Sequence, residues 1–158
     1  MNRPWPKIAV LFVFAGLLGC QPLPPTYTVE RTRSYQQSEA DVWDKIQQFL
    51  QANNITVRRS DRQQGTIDAD RANYQDAGWA DCPLGIGRDR DGNRPRRVRQ
   101  RMDRSLTLKV ALSQANGITM VTLDARFTER QIHPWRNLPF RTGCVSTGVL
   151  EKSLLDSI

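Results

Sequence analysis

Three kinds of residue in this chain could do specific chemistry: its three cysteines, its single histidine and a dense run of arginines. Cys20 closes an apolar stretch, Cys82 and Cys144 stand alone, and His133 precedes Pro134-Trp135. Residues 88–104, RDRDGNRPRRVRQRMDR, hold eight arginines against Asp89, Asp91 and Asp103. A thiol can be acylated, oxidised to a disulfide or bound to a metal. An imidazole moves protons near neutral pH, and a guanidinium grips phosphate or carboxylate through paired N–H bonds. Which of these reactions the chain uses depends on its compartment.

Arg3 and Lys7 precede an eleven-residue apolar run, Ile8 to Leu18, and small or medium residues lead into Cys20. This is the pattern of a signal sequence. Eleven apolar residues fall well short of the roughly 20 that a membrane-crossing helix needs. The segment Leu17-Leu18-Gly19-Cys20 resembles the lipobox of bacterial lipoproteins, with Leu18 bulkier than the residue usual there. The resemblance implies that Cys20 carries a diacylglyceryl group on its sulfur, that residues 1–19 are cut away, and that the new amino terminus is acylated. Several acyl chains would then hold the protein on a membrane, each buried methylene contributing about 0.8 kcal/mol. Gln21, not Asp, follows the cysteine. In enterobacterial-type sorting this implies the outer membrane, with the domain on the periplasmic face.

Loss of 19 residues from 158 leaves 139, enough for one domain, and takes two basic side chains and no acidic ones, lowering the formal charge from +7 to +5. Residues 20–25 read as lipidated Cys20 and a proline-rich tether, and 26–158 as a single periplasmic domain. Two cysteines remaining in an oxidising compartment predict a Cys82–Cys144 disulfide. Closing a loop of roughly 60 residues, it is worth about 4 kcal/mol in the chain-entropy picture. A metal site is not expected, because two cysteines and His133 do not complete the four ligands of structural zinc.

The net excess of five positive charges in residues 88–104 equals the whole mature charge. In the cytosol such a run would suggest nucleic acid; on the envelope it suggests lipid phosphates or acidic protein faces, with Arg94, Arg96, Arg97 and Arg99 as the gripping residues. A solvated loop without a ligand is the plainer reading of such a run. Asp89-Arg90-Asp91-Gly92-Asn93 has the oxygen content of a calcium loop but its glycine comes early and no closing glutamate follows. His133 has no nucleophile motif around it, and Trp79 and Trp135 read as packing over the disulfide. No catalytic set and no cofactor are expected.

The elements that must position these groups follow from periodicity. Thr26–Arg33 alternates with Tyr27 and Val29 on one face, predicting a strand. Ser38-Glu39-Ala40-Asp41 forms a capping box, and Val42, Trp43, Ile46, Phe49 and Leu50 continue at helical spacing until Asn53-Asn54. Ile55 and Val57, a polar turn over Ser60–Gly65, then Ile67 and Ala69 predict a hairpin. Leu106 to Leu112 and Val121 to Phe127 alternate on either side of Asn116-Gly117, the strongest hairpin turn. Val149, Leu150, Leu154, Leu155 and Ile158 end the chain in a short amphipathic helix. The expected fold is α+β, a two-layer sandwich with two helices on one face of an antiparallel sheet, order β-α-β-β-β-β-α, carrying an Arg-rich insertion at about 71–104.

Residues 38–70, SEADVWDKIQQFLQANNITVRRSDRQQGTIDAD, resemble the helix-hairpin unit of the helix-grip domains in lipoprotein C of the bacterial β-barrel assembly machinery. The matching features are Val42-Trp43, the Ile46, Phe49, Leu50 stripe, Ile55 and Val57, and Asp61 followed by Gly65-Thr66-Ile67. The resemblance covers 33 residues and implies fold more than function. The expected activity is therefore non-enzymatic: a lipid-anchored scaffold or accessory factor in an outer-membrane or trans-envelope assembly, with an envelope protein as partner. The alternative is a periplasmic ligand-binding or inhibitor module that docks an anionic ligand through the arginines.

Overall fold

A computed structural model describes residues 26–74, 78–83, 86–88, 95–97, 103–132 and 138–158, with 86–88 and 95–97 described in backbone only. Cys20, the leader and the tether therefore lie outside the described residues.

The first helix forms where its capping box places it. Helix α1 (Glu39–Ala52) follows strand β1 (Thr32–Tyr35), and the Ser38 hydroxyl accepts the Asp41 N–H while donating to its carboxylate. One of the N–H donors that a helix start leaves open is thus engaged locally, and the hydroxyl-to-carboxylate bond holds the cap in place. Its apolar stripe, Val42, Trp43, Ile46 and Leu50, is buried, and Asn54 takes a left-handed conformation just beyond the end.

Strands β2 (Thr56–Asp61) and β3 (Thr66–Ala72) form the first hairpin. Asp61 caps its turn by accepting from the Gln63 and Gln64 N–H groups, and Gly65 turns the chain at φ +60°. The second hairpin, β7 (Arg104–Ala115) and β8 (Ile118–Ile132), is joined at Asn116-Gly117, both with positive φ as a type I′ turn requires. Its strands pair without interruption from Arg104–Glu129 to Ala115–Ile118.

These strands belong to one seven-stranded antiparallel sheet in the order β2-β3-β7-β8-β9 (Pro139–Ser146)-β4 (Ala80–Asp81), with β1 also on β8. Strands β1 and β9 lie end to end along the same side of β8. A separate pair, β5 (Ile86–Arg88) and β6 (Pro95–Arg97), completes the strands described, and helix α2 (Val149–Asp156) ends them.

Alternation places Leu106, Leu108, Val110 and Leu112 of β7 and Val121, Leu123 and Phe127 of β8 on one face. With Ile67 and Ala69 they share a single core with the buried residues of α1 and with Leu150, Leu154 and Leu155 of α2. Burying each such leucine or isoleucine is worth about 1.5–3 kcal/mol. The opposite face is polar, as expected of an antiparallel sheet with one solvated side. Among the described residues no helix is long and apolar enough to cross a membrane.

Two sequence expectations need correction. The first strand is Thr32–Tyr35, not Thr26–Arg33: Tyr27 reaches over to Asp81, and Thr28 and Val29 pack on Gly148, so tertiary contacts draw this segment off the ladder. The order β-α-β-β-β-β-α omits β4, β5, β6 and β9; PFRTGCVS shows no apolar alternation, and pairing with the long β8 holds β9 as a strand. Between β3 and β7, within the insertion expected at about 71–104, β4 pairs with β9 and β5 with β6.

Gly65 tests the close fit of the two hairpins. A Cβ there would lie 2.5 Å from the Leu112 carbonyl oxygen, while the Leu112 N–H donates to Gly65 O at 2.7 Å. Gly65→Ala is expected to lower stability by about 2 kcal/mol, from clash plus a left-handed φ that a side chain resists. Urea unfolding checks this as a lower midpoint with an unchanged slope.

Candidate functional site

The predicted disulfide is present. Cys82 and Cys144 are joined, 62 positions apart in sequence, and the bridge fastens the segment after β4 to β9. It sits at one end of the core, where Trp79 is buried and stacks on Tyr74, which in turn meets Phe127 edge-on. Arg71 lies over Trp79 at 5.3 Å and donates to the Asn53 carbonyl. The tryptophan is thus committed to packing.

The expected arginine site is not brought together among the described residues. Arg94 and Arg99 lie outside them, as do His133, Trp135 and the Asp89–Asn93 segment; Arg96 and Arg97 are described only as backbone of β6. Among the described residues no cluster of three His, Cys, Asp or Glu side chains could hold a metal ion.

The solvated face of the sheet carries the charge pattern instead. Register places Arg59 opposite Asp68, Asp68 opposite Lys109, and Lys109 opposite Asp124. Signs alternate across four strands, each opposite pair worth roughly 0.2–1 kcal/mol. A shallow hollow of about 470 Å³ lies over this row, lined also by Asp61, Thr66 and Thr122.

At the other end of the same face is a second hollow of about 420 Å³. Asp103, Ser105, Thr128, Arg130 and Arg141 line it. The Ser105 and Thr128 hydroxyls are 3.1 Å apart, and the Arg130 N–H donates to the Asp103 carbonyl at 3.0 Å. Arg130 and Arg141 are directly opposite each other across β8 and β9. Behind them, on the core side, Arg104 and Glu129 form an ion pair at 2.9 Å, with side chains only 14% and 11% exposed, and Gln131 donates to the second Glu129 oxygen. Sequence reading missed Arg130 and Arg141 because β9 was not read as a strand; their shared position is set by register alone.

A third group of charges ties α2 to β1. Arg33 reaches Glu30 and Asp156, and Lys152 also reaches Asp156. Lys152 and then Arg33 hold the Asp156 carboxyl below its usual range, Arg33 does the same for Glu30, and Arg58 for Asp70. The guanidinium of Arg33 is raised above its ordinary value, first by Glu30. Tyr35 and Gln37 add hydrogen bonds to the Leu155 and Ile158 carbonyls.

No protein-family model matches the chain, and no curated protein matches it. Among solved structures it is similar to a DUF4468 family protein from Bacteroides ovatus, at 14% identity and a TM-score of 0.32, over 70% of this chain and 58% of that one. The chain thus spans little more than half the length of that protein.

The depressed carboxyls give a pH dependence of definite sign. Their charged forms are favoured in the folded state, so the stability they add is complete above the unfolded values near pH 4 and is lost as pH falls through the lower folded values. Wild-type protein is expected to lose urea resistance between about pH 4.5 and pH 2. Asp156→Asn, less stable at neutral pH, should lose less across that window, as fluorescence-monitored urea midpoints would show.

Proposed function

We propose that the chain is a non-enzymatic, lipid-anchored envelope protein that serves as a scaffold or accessory factor in an outer-membrane or trans-envelope assembly. The observation that carries this reading is the Cys82–Cys144 disulfide together with the position of Cys20. A structural bridge belongs to an oxidising compartment, and a cysteine closing a short apolar leader supplies the attachment point there. The lipobox resemblance and Gln21 favour the outer membrane, periplasmic face.

The two-layer sandwich completes the reading. Both helices cover one face of the sheet, leaving the charged, threonine-rich face open to an envelope protein partner. Protein surfaces of alternating sign select partners through complementarity and orientation more than through raw affinity, which suits a scaffold.

Metabolic labelling with a fatty acid should mark the wild-type chain and leave Cys20→Ser unlabelled. Label retained by Cys20→Ser would overturn the anchor. Crosslinking in whole envelopes followed by co-purification should recover an envelope assembly with the wild-type protein; recovery of the monomer alone would remove the scaffold reading. Reduction, or Cys144→Ser, should cost about 4 kcal/mol in unfolding free energy, measured by urea titration with and without reductant.

A further inference from the structure

We propose that Arg130 and Arg141 form a binding site for a phosphate group on the solvated face of the sheet. Two guanidiniums directly opposite on neighbouring antiparallel strands have Cβ atoms only about 5 Å apart, and like charges so placed destabilise a sheet. Both side chains are exposed. The Asp103 carboxylate approaches Arg130 no closer than 3.9 Å, beyond hydrogen-bonding range. Among the described residues no carboxylate is paired with Arg141. The sheet therefore carries two guanidiniums against one distant carboxylate, a net positive pair whose strand positions are fixed by register.

The surroundings fit a tetrahedral oxyanion. Each guanidinium offers five N–H donors in a planar fork suited to paired phosphate oxygens. Thr128 precedes Arg130 by two on the same face and shares hydrogen-bonding contact with Ser105, so two hydroxyls border the pair. Gly143 stands opposite Thr128 and two positions from Arg141 on the same face. A Cβ added to Gly143 would meet nothing within 4 Å, which leaves open floor beside the guanidiniums and hydroxyls. A carboxylate would use one fork; a phosphate, with more oxygens and up to two charges, engages both.

Strain and binding thus share a cause, and this gives the test two signs. The full chain in non-ionic detergent is unfolded thermally in sodium phosphate and in sodium chloride at equal ionic strength. Phosphate should raise the Tm of the wild-type protein above its value in chloride, because only the folded state holds the site. Arg141→Gln should weaken phosphate binding about 10- to 100-fold, the loss expected for a charge-assisted pair of hydrogen bonds. In chloride alone it should unfold at the same or a higher temperature, since the repulsion is gone. Arg130→Gln should repeat the binding loss. Gly143→Val should remain folded, as its added carbons meet open space in a strand, and should bind phosphate more weakly by filling the floor. Glycerophosphoglycerol, the soluble headgroup of an anionic phospholipid, supplies a second arm: a tighter response to it than to inorganic phosphate assigns the ligand to lipid, and the reverse assigns it to free phosphate. Equal phosphate responses from wild-type and Arg141→Gln protein overturn the site. Undiminished binding by Gly143→Val overturns the placement of the anion over that glycine.

Discussion

The pairing of β7 with β8 is the constraint on which the rest of the molecule depends. Strand β8 is fifteen residues long, and one side of it is taken by β7 while the other is shared by β1 and β9. Its inward residues Val121, Leu123 and Phe127 supply the middle of the core, and Thr119, fully buried, donates to the Gln37 carbonyl and so seats the turn before α1. Because side chains alternate strictly along a strand, a slip of one residue would turn that set outward and bring Thr122 and Asp124 inward. The Asn116-Gly117 turn fixes the count and prevents the slip.

From this frame the distribution of charge follows. Where the helices cover the sheet, inward positions are apolar; beyond them, at Arg104 and Glu129, the inward face becomes ionic. That pair is mostly excluded from water, and a buried pair offsets its desolvation only with good geometry and added hydrogen bonds, which Gln131 provides. The outward face faces no such cost. It holds an alternating row in which neighbours of opposite sign meet, and a cationic pair in which neighbours of like sign meet. The contrast within one face makes the cationic pair stand out as a binding feature rather than as average surface.

The disulfide and the proposed acylation act at different levels. The Cys82–Cys144 bridge restrains the unfolded chain and secures β9, which has little apolar surface of its own. It thereby holds the strand that carries Arg141. Acylation at Cys20 would set location without touching the domain. On the anchoring proposed above, a domain with a polar face and a cationic pair would work at a membrane surface, where phosphate headgroups and acidic protein faces are at hand.

The sequence by itself determined the locally encoded parts. Helix α1 is written in its capping box and 3.6-residue stripe, the two hairpins in their alternation and turn residues, and α2 in its apolar arc, because each of these signals lies within a few residues of the structure it specifies. The tertiary structure alone decided the rest. Residues Pro139–Ser146 have no strand pattern and become β9 by borrowing hydrogen-bond partners from β8, and Thr26–Arg31 alternates yet leaves the ladder to pack on Asp81 and Gly148. Arg130 and Arg141 are eleven residues apart in the chain, and neither is marked in it. Their opposition is a property of register, which is fixed only when a strand finds its partner across the sheet.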